Sequence, residues 1–349
     1  MLNKPLKQFF LSFFLLSNTF IQCSPGLEEK INAGIKLYRE GKKNKATSLL
    51  TNNIIMWSSK KHDIEASVSS NDTMLYFQKD DKLSIVYPIT IDTNILKSYS
   101  ILSYDSEMDR VVLCDGINVI ILDKNGLQIS KFSLSPDIKN KIKSAILIKD
   151  SLLYYREGKL FLFDLFTENR RQLLKKRFSP PYSRAYFVVD FYKVANSLAI
   201  IAGFAGSYYL SVIDINNYTV LLKNLRVSSR KFFFDGSYIY YISGLSGKWR
   251  LTKFSMKNKK KNQLIKFDDL VDIEFYSRGI LYENKNGIWH SEYNKKKIEL
   301  TRFNIELAGK CYDDIILKFN KKLYLVDMNK FYSKIILLEK TIPDFFKNN

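Results

Sequence analysis

The sequence predicts an all-β fold, a β-propeller of seven four-stranded antiparallel blades preceded by a short N-terminal helical hairpin. Three observations carry that expectation: an apolar strand pattern recurring about every 40 residues, a tight polar turn and second strand after each copy, and no helix-spaced runs between the strands. The copies are TMLYF, VVLCD, LLYYR, LAIIA, YIYYI, ILYEN and IILKF. Taken from Met74, Val111, Leu152, Leu198, Tyr238, Ile280 and Ile315, they lie 37, 41, 46, 40, 42 and 35 residues apart. Each is followed by another strand, such as NVIILD from Asn118, KLFLFD from Lys159 or KLYLVD from Lys322, and then by a third turn and an outer strand. Most are also preceded by one, such as SAILIK at Ser144 or KFFFD at Lys231. Four strands in about 40 residues is the length of a propeller blade. A sandwich or barrel needs no such period, and a parallel α/β fold needs helices between its strands.

The first element is an address. Lys4 and Lys7 precede an apolar stretch from Phe9 to Leu16 and a polar step at Ser17 to Thr19, the three-part layout of a secretory signal over residues 1–22. That stretch falls well short of the about 20 residues needed to cross a bilayer as a helix. Phe20-Ile21-Gln22-Cys23 then resembles the lipobox of bacterial lipoproteins, with Phe20 and Gln22 standing where the usual pattern has leucine and a small residue. Relaxed boxes of this kind are a mark of spirochaete-type lipoproteins, and the resemblance implies acylation (palmitate) of Cys23 and stable membrane anchoring by several chains. The alternative is an ordinary cleaved signal followed by an incidental cysteine. Cys114 and Cys311, both beside apolar residues, read as buried thiols.

Residues 23–58 form the second segment. Ser24-Pro25 suits a helix start, Leu27, Ile31, Ile35 and Tyr38 make an apolar stripe, Gly41 punctuates, and Asn44 to Ile55 suits a second helix. The pair is similar to one tetratricopeptide unit, which cannot bury its own face. It either packs on the rest of the chain or presents that face to a partner. The third segment, the propeller, is read as residues 59–349, with the Asn53 to Ser58 run as a closing strand or partial further blade.

Charge bears on partners. The chain of 349 residues carries 55 Lys and Arg against 35 Asp and Glu, a formal net charge of +20. Third turns are read at Arg170 and Arg171, at Lys257, Lys259, Lys260 and Lys261, at Lys295, Lys296 and Lys297, and at Lys330 and Lys334. In a propeller these turns emerge on one face, so they form a candidate basic interaction rim; the alternative is a set of solvated turns protecting sheet edges. Nucleic acid is not the expected partner, because an export signal removes the chain from the cytoplasm and Lys outnumbers Arg 43 to 12. Membrane headgroups and acidic patches on other envelope proteins suit the charge better.

No enzyme, cofactor or metal is expected. The two histidines, His62 and His290, give no histidine-based zinc site, and His290 beside Trp289 in a strand reads as structural. No GxSxG elbow, phosphate-cradling loop or dinucleotide glycine pattern is present, and Gly244 to Lys248 is a loop of the wrong spacing.

Signal, anchor cysteine and ring together resemble the BamB-type lipoproteins over about residues 62 to 340. The resemblance is architectural and transfers no contact residue: those proteins show eight blades with recurrent Gly and Trp, whereas seven copies are read here with Trp57, Trp249 and Trp289. It implies an outer-membrane lipoprotein facing the periplasm, a protein-protein interaction scaffold and an accessory of the barrel-assembly (BAM) machinery, with envelope proteins as partners. The alternatives are an exported glycan-binding or glycan-cleaving propeller and a surface adhesin.

Overall fold

The structure, a computed structural model, describes residues 25–61, 66–67, 75–80, 83–87, 89–105, 107–134, 142, 144–156, 159–173, 187–204, 207–245, 247–285, 287–293, 297–301, 305–311, 314–319 and 322–342. Cys23 lies outside them. The chain forms two compact units, one of them Lys60–Met328 and the other holding the N-terminal helices with the C-terminal one.

In the larger unit the described strands form seven four-stranded antiparallel sheets, each ordered as the chain runs for the first six. These are blades 1 to 6, lying within residues 66–92, 100–133, 144–172, 187–227, 232–267 and 272–301. The seven repeated runs of the sequence are the second strands, and the runs after them are the third strands, as in Ser151–Arg156 and Lys159–Asp164. A short helix, Thr93–Ser98, separates blades 1 and 2.

Blade 7 explains how the fold closes. Ile305–Cys311, Asp314–Phe319 and Lys322–Val326 are its first three strands, and the fourth is Ser59–Lys61, from the other end of the chain. The run Asn53 to Ser58, read as a closing strand or a partial further blade, is instead helical, and the closing strand begins one residue later. Likewise the C-terminal stretch, read as the outer strand and turn of this blade, is helix Met328–Thr341. Its buried residues Met328, Phe331, Tyr332, Ile335 and Leu338 fall at helical, not alternating, spacing. Lys330 and Lys334 therefore sit on a helix rather than in a hairpin turn.

The strands read as continuous apolar runs because both of their faces are covered. Side chains alternate across a strand, and in blade 3 Ala145, Leu147, Leu152 and Tyr154 pack on Val112, Val119 and Ile121 of blade 2. The intervening Ile146, Ile148, Leu153 and Tyr155 pack on Phe191, Leu198 and Ile200 of blade 4. The other described clusters likewise join blades 1 and 2, 4 and 5, and 5 and 6. Each fully buried Leu, Ile or Phe contributes about 1.5–3 kcal/mol, so the stabilisation lies between blades, where neighbouring sheets stack.

In blades 2, 3 and 4 the turns between third and fourth strands are built alike. An acidic residue ends the third strand, and its carboxylate accepts backbone N–H groups of the turn: Asp123 from Asn125 and Leu127, both at 2.8 Å, and Asp164 from Phe166 at 3.0 Å and Thr167 at 2.8 Å. Asp214 does the same for Asn216 at 2.7 Å. Such side chains set a turn without help from the sheet. Each turn then needs one left-handed residue, supplied by Gly126 (φ 79°) in blade 2 but by Glu168 (56°), Tyr218 (58°) and Lys259 (59°) in blades 3, 4 and 5. A residue with a Cβ pays about 1–2 kcal/mol there, partly offset by the greater unfolded-state freedom of glycine. Glu168→Gly is accordingly expected to stabilise the chain by about 0.5–1 kcal/mol in urea unfolding; no gain would show that the turn is not strained.

In the second unit, α1 (Pro25–Arg39) and α2 (Lys43–Ser58) form the expected hairpin. Gly41 at φ 78° ends α1, with its N–H donated to Tyr38 O and that of Lys42 to Leu37 O, the paired bonds that close a helix C-terminus. Ala46, Leu50 and Ile54 form the buried face of α2. The C-terminal helix belongs to the same unit, where the Lys334 ammonium lies 4.3 Å from the Trp57 ring centroid. The hairpin is thus joined by a third amphipathic helix, which the sequence reading had assigned to the propeller.

Candidate functional site

The proposed basic rim can now be placed residue by residue. Lys257, Lys259 and Lys260 occupy the turn between the third and fourth strands of blade 5, all exposed. Lys261 opens the outer strand, Lys261–Phe267. Lys297 opens the outer strand of blade 6, Lys297–Thr301, while Lys295 and Lys296 lie outside the described residues. Arg170 and Arg171 are not in a turn: they form the short outer strand Arg170–Gln172 of blade 3. Their guanidinium groups lie 5.5 Å from the Phe161 ring centroid and 5.6 Å from that of Tyr218. Antiparallel strand order puts the third turns of blades 1 to 6 on one face, and so sets the lysines of blade 5 on the same face as the start of the outer strand of blade 6.

Positive charge is concentrated in blade 5 and the outer strand of blade 4. From Ile215 to Phe267 the chain carries twelve Lys and Arg and a single acid, Asp235, more than half of the net charge of +20 in 53 residues. Asp235 spends its carboxylate on the N–H groups of Ser237 and Tyr238, at 2.8 and 2.6 Å. Lys259 reaches from blade 5 to the outer strand of blade 4, Val220–Val227, where its ammonium donates to Leu221 O at 3.0 Å. Between these blades runs a groove of about 410 Å³ with Arg226 and Lys261 on its walls and no acidic residue lining it. Tyr241 lies at its base, 1% exposed, and burial pushes its hydroxyl pKa up to about 12.

A second charged cluster joins the residue just before the first strand of blade 5 to the first strand of blade 6, and first strands face the axis of a propeller. The Lys231 ammonium donates to both Asp272 oxygens, at 2.9 and 3.1 Å, and to Glu274 Oε1 more closely. Burial works against the charge on Lys231, but Glu274 and Asp272 together outweigh it and hold its pKa above that of a free lysine. Glu274 is 1% exposed. Beside this cluster opens a cavity of about 170 Å³ walled by Tyr192, Phe232, Phe233 and Lys310. Lys193 at its edge pairs with Glu107 of blade 2 at 2.5 Å. The sequence reading missed this cluster because its members are 41 and 43 residues apart. That separation is itself one blade period, so superposing the repeats sets Lys231 beside Asp272 and Glu274.

Of the remaining reactive groups, His290 is 1% exposed on the third strand of blade 6 and hydrogen-bonded to the Tyr276 hydroxyl; burial pushes its pKa down to about 4. Cys114 is a free thiol, 3% exposed, and burial raises its pKa to about 11, which keeps it protonated and unreactive. Cys311 ends the first strand of blade 7. Among the described residues no three His, Cys, Asp or Glu stand close enough to hold a metal, and no helix is long and apolar enough to cross a membrane.

No family model and no curated protein matches this chain. Among solved structures it is similar to BamB from Moraxella catarrhalis, at 12% identity over 76% of this chain and 82% of that one, TM-score 0.42. It is also similar to the WD40 domain of coronin from Toxoplasma gondii, at 9% identity over 77% and 83%, TM-score 0.45. A further likeness is to the WD40 domain of Pan2 from Neurospora crassa, at 9% over 78% and 90%, TM-score 0.42. These are likenesses of fold alone; the seven four-stranded antiparallel sheets, packed blade on blade and with the last completed by the N-terminal strand, make the fold a β-propeller.

Proposed function

We propose that the chain is a protein-interaction scaffold held at a membrane of the bacterial envelope by acylated Cys23, and that it serves as an accessory of outer-membrane β-barrel assembly. The observation that carries the scaffold reading is the exposed, acid-poor flank of blades 4 and 5, mounted on sheets whose other faces are spent on packing. The leader and Phe20-Ile21-Gln22-Cys23 support the tether. Signal, anchor and propeller in one chain support the assembly role, through the BamB-type resemblance of the sequence.

Two measurements test this. Cys23→Ala is expected to abolish labelling by a palmitate analogue and to cut the membrane-sedimenting fraction at least tenfold. Crosslinking in intact cells, followed by mild detergent extraction, is expected to recover subunits of a barrel-assembly complex. Unchanged sedimentation would overturn the tether, and recovery of no envelope protein would overturn the scaffold.

A further inference from the structure

We propose that the groove between blades 4 and 5 receives an extended, acidic polypeptide segment of a partner protein, with interspersed apolar side chains. The inference deepens the scaffold reading and rests on it. Charge comes first: Arg226 of blade 4 and Lys261 of blade 5 line the groove, no acid lines it, and from Ile215 to Phe267 the chain carries twelve basic residues against Asp235, Lys231 among them being engaged by Asp272 and Glu274. An entering carboxylate meets no repulsion and two cations from different blades.

Hydrogen bonding comes second. The Gln263 carbonyl accepts from Arg250 at 2.7 Å, which turns the Gln263 NH₂ to donate. An amide that donates from the wall of the groove matches a carbonyl of an extended backbone. Third, the basic surroundings carry bare apolar groups: Leu245, at the end of the groove, is 72% exposed, and Val220 and Leu221 on the blade 4 edge are 43% and 41% exposed.

Other polyanions fit less well. A bilayer is a plane and does not enter a cleft between two blades. Unpaired bases need an aromatic face to stack on, and Tyr241 at the base of the groove is buried.

The test uses the full chain in mild detergent and a fluorescein-labelled twelve-residue peptide of alternating glutamate and leucine or serine, read by anisotropy. Saturable binding is expected, weakened at least tenfold by Arg226→Glu with Lys261→Glu and about fivefold by the near-isosteric Gln263→Glu. The same charge change on blade 2, Lys124→Glu with Lys131→Glu, is expected to alter it less than twofold. Absence of saturable binding would overturn the proposal, as would equal loss from both pairs, or tighter competition by phosphatidylglycerol vesicles or single-stranded RNA than by the unlabelled peptide.

In cells, p-benzoylphenylalanine at position 263 is expected to capture an acidic segment, and at position 128 of blade 2 to capture none. Partner adducts at 128 alone would overturn the groove and leave the scaffold standing. Adducts at neither, with no partner in the crosslinking experiment above, would overturn both.

Discussion

Lys231→Met is expected to destabilise the propeller by about 3–5 kcal/mol, the cost of breaking a buried ion pair from one side. The side chain of Glu274 is 2% exposed, and that of Lys231 22%, so neither charge is solvated as it would be at a surface. Without the ammonium, Glu274 loses its ion pair with Lys231 at a position almost closed to water. The position also matters for assembly. The first strand of blade 5 is only Phe232–Phe234, and the lysine just before it ties that short strand to the first strand of blade 6. Urea unfolding of Lys231→Met, Glu274→Gln and the double variant separates charge from packing. The double variant is expected to recover most of the loss, because it removes the buried carboxylate with its lysine and leaves only Asp272, whose side chain is 37% exposed and solvated. A double variant as unstable as Lys231→Met would show that the aliphatic stem of the lysine, not the ion cluster, holds the strand.

How much of this was legible beforehand depended on whether a feature repeats. The blades were, since burial on both faces turns every second strand into an apolar run, and the acidic residue ending NVIILD, KLFLFD and YYLSVID marks the third turn of blades 2, 3 and 4. The closing strand was not: Ser59-Lys60-Lys61 is an edge segment, polar throughout, and nothing local distinguishes it from a loop. The same polarity put Arg170 and Arg171 in a turn, although they are paired with Phe163 and Leu162. With blade 7 completed from the far end of the chain, no outer strand was required after Val326, and the final residues were free to follow their helical spacing.

The site was less legible than the fold. The lysines of blade 5 stand out as a run, but the groove they flank joins residues of the outer strand of blade 4 to three strands of blade 5, over a span from Arg226 to Gln263. Its defining property is the near absence of acids, which no motif records. Charge and acid counts blade by blade would have found it; charge runs alone point to the turns and miss the cleft beside them.

Acidification is expected to expose a liability at His290. Its pKa is about 4 in the folded chain against 6.5 for an unperturbed histidine, because burial disfavours the charged ring. Above about pH 6.5 both states are neutral there and stability is unaffected. As pH falls from 6.5 towards 4, the unfolded chain takes up a proton that the folded chain refuses, and stability is lost progressively, by about 3 kcal/mol in all. Carboxylates titrate over part of the same range, so the comparison must be with His290→Gln, which keeps a polar group opposite the Tyr276 hydroxyl and does not titrate. At pH 7.5 the variant is expected to be less stable than the parent by about 1–2 kcal/mol, having lost a fitted buried hydrogen bond. That gap should close, and then reverse, as unfolding is measured at pH 6, 5 and 4.5. A difference that stays constant across the series would mean that the ring is protonated in the folded chain, and that the packing around blade 6 admits the charge.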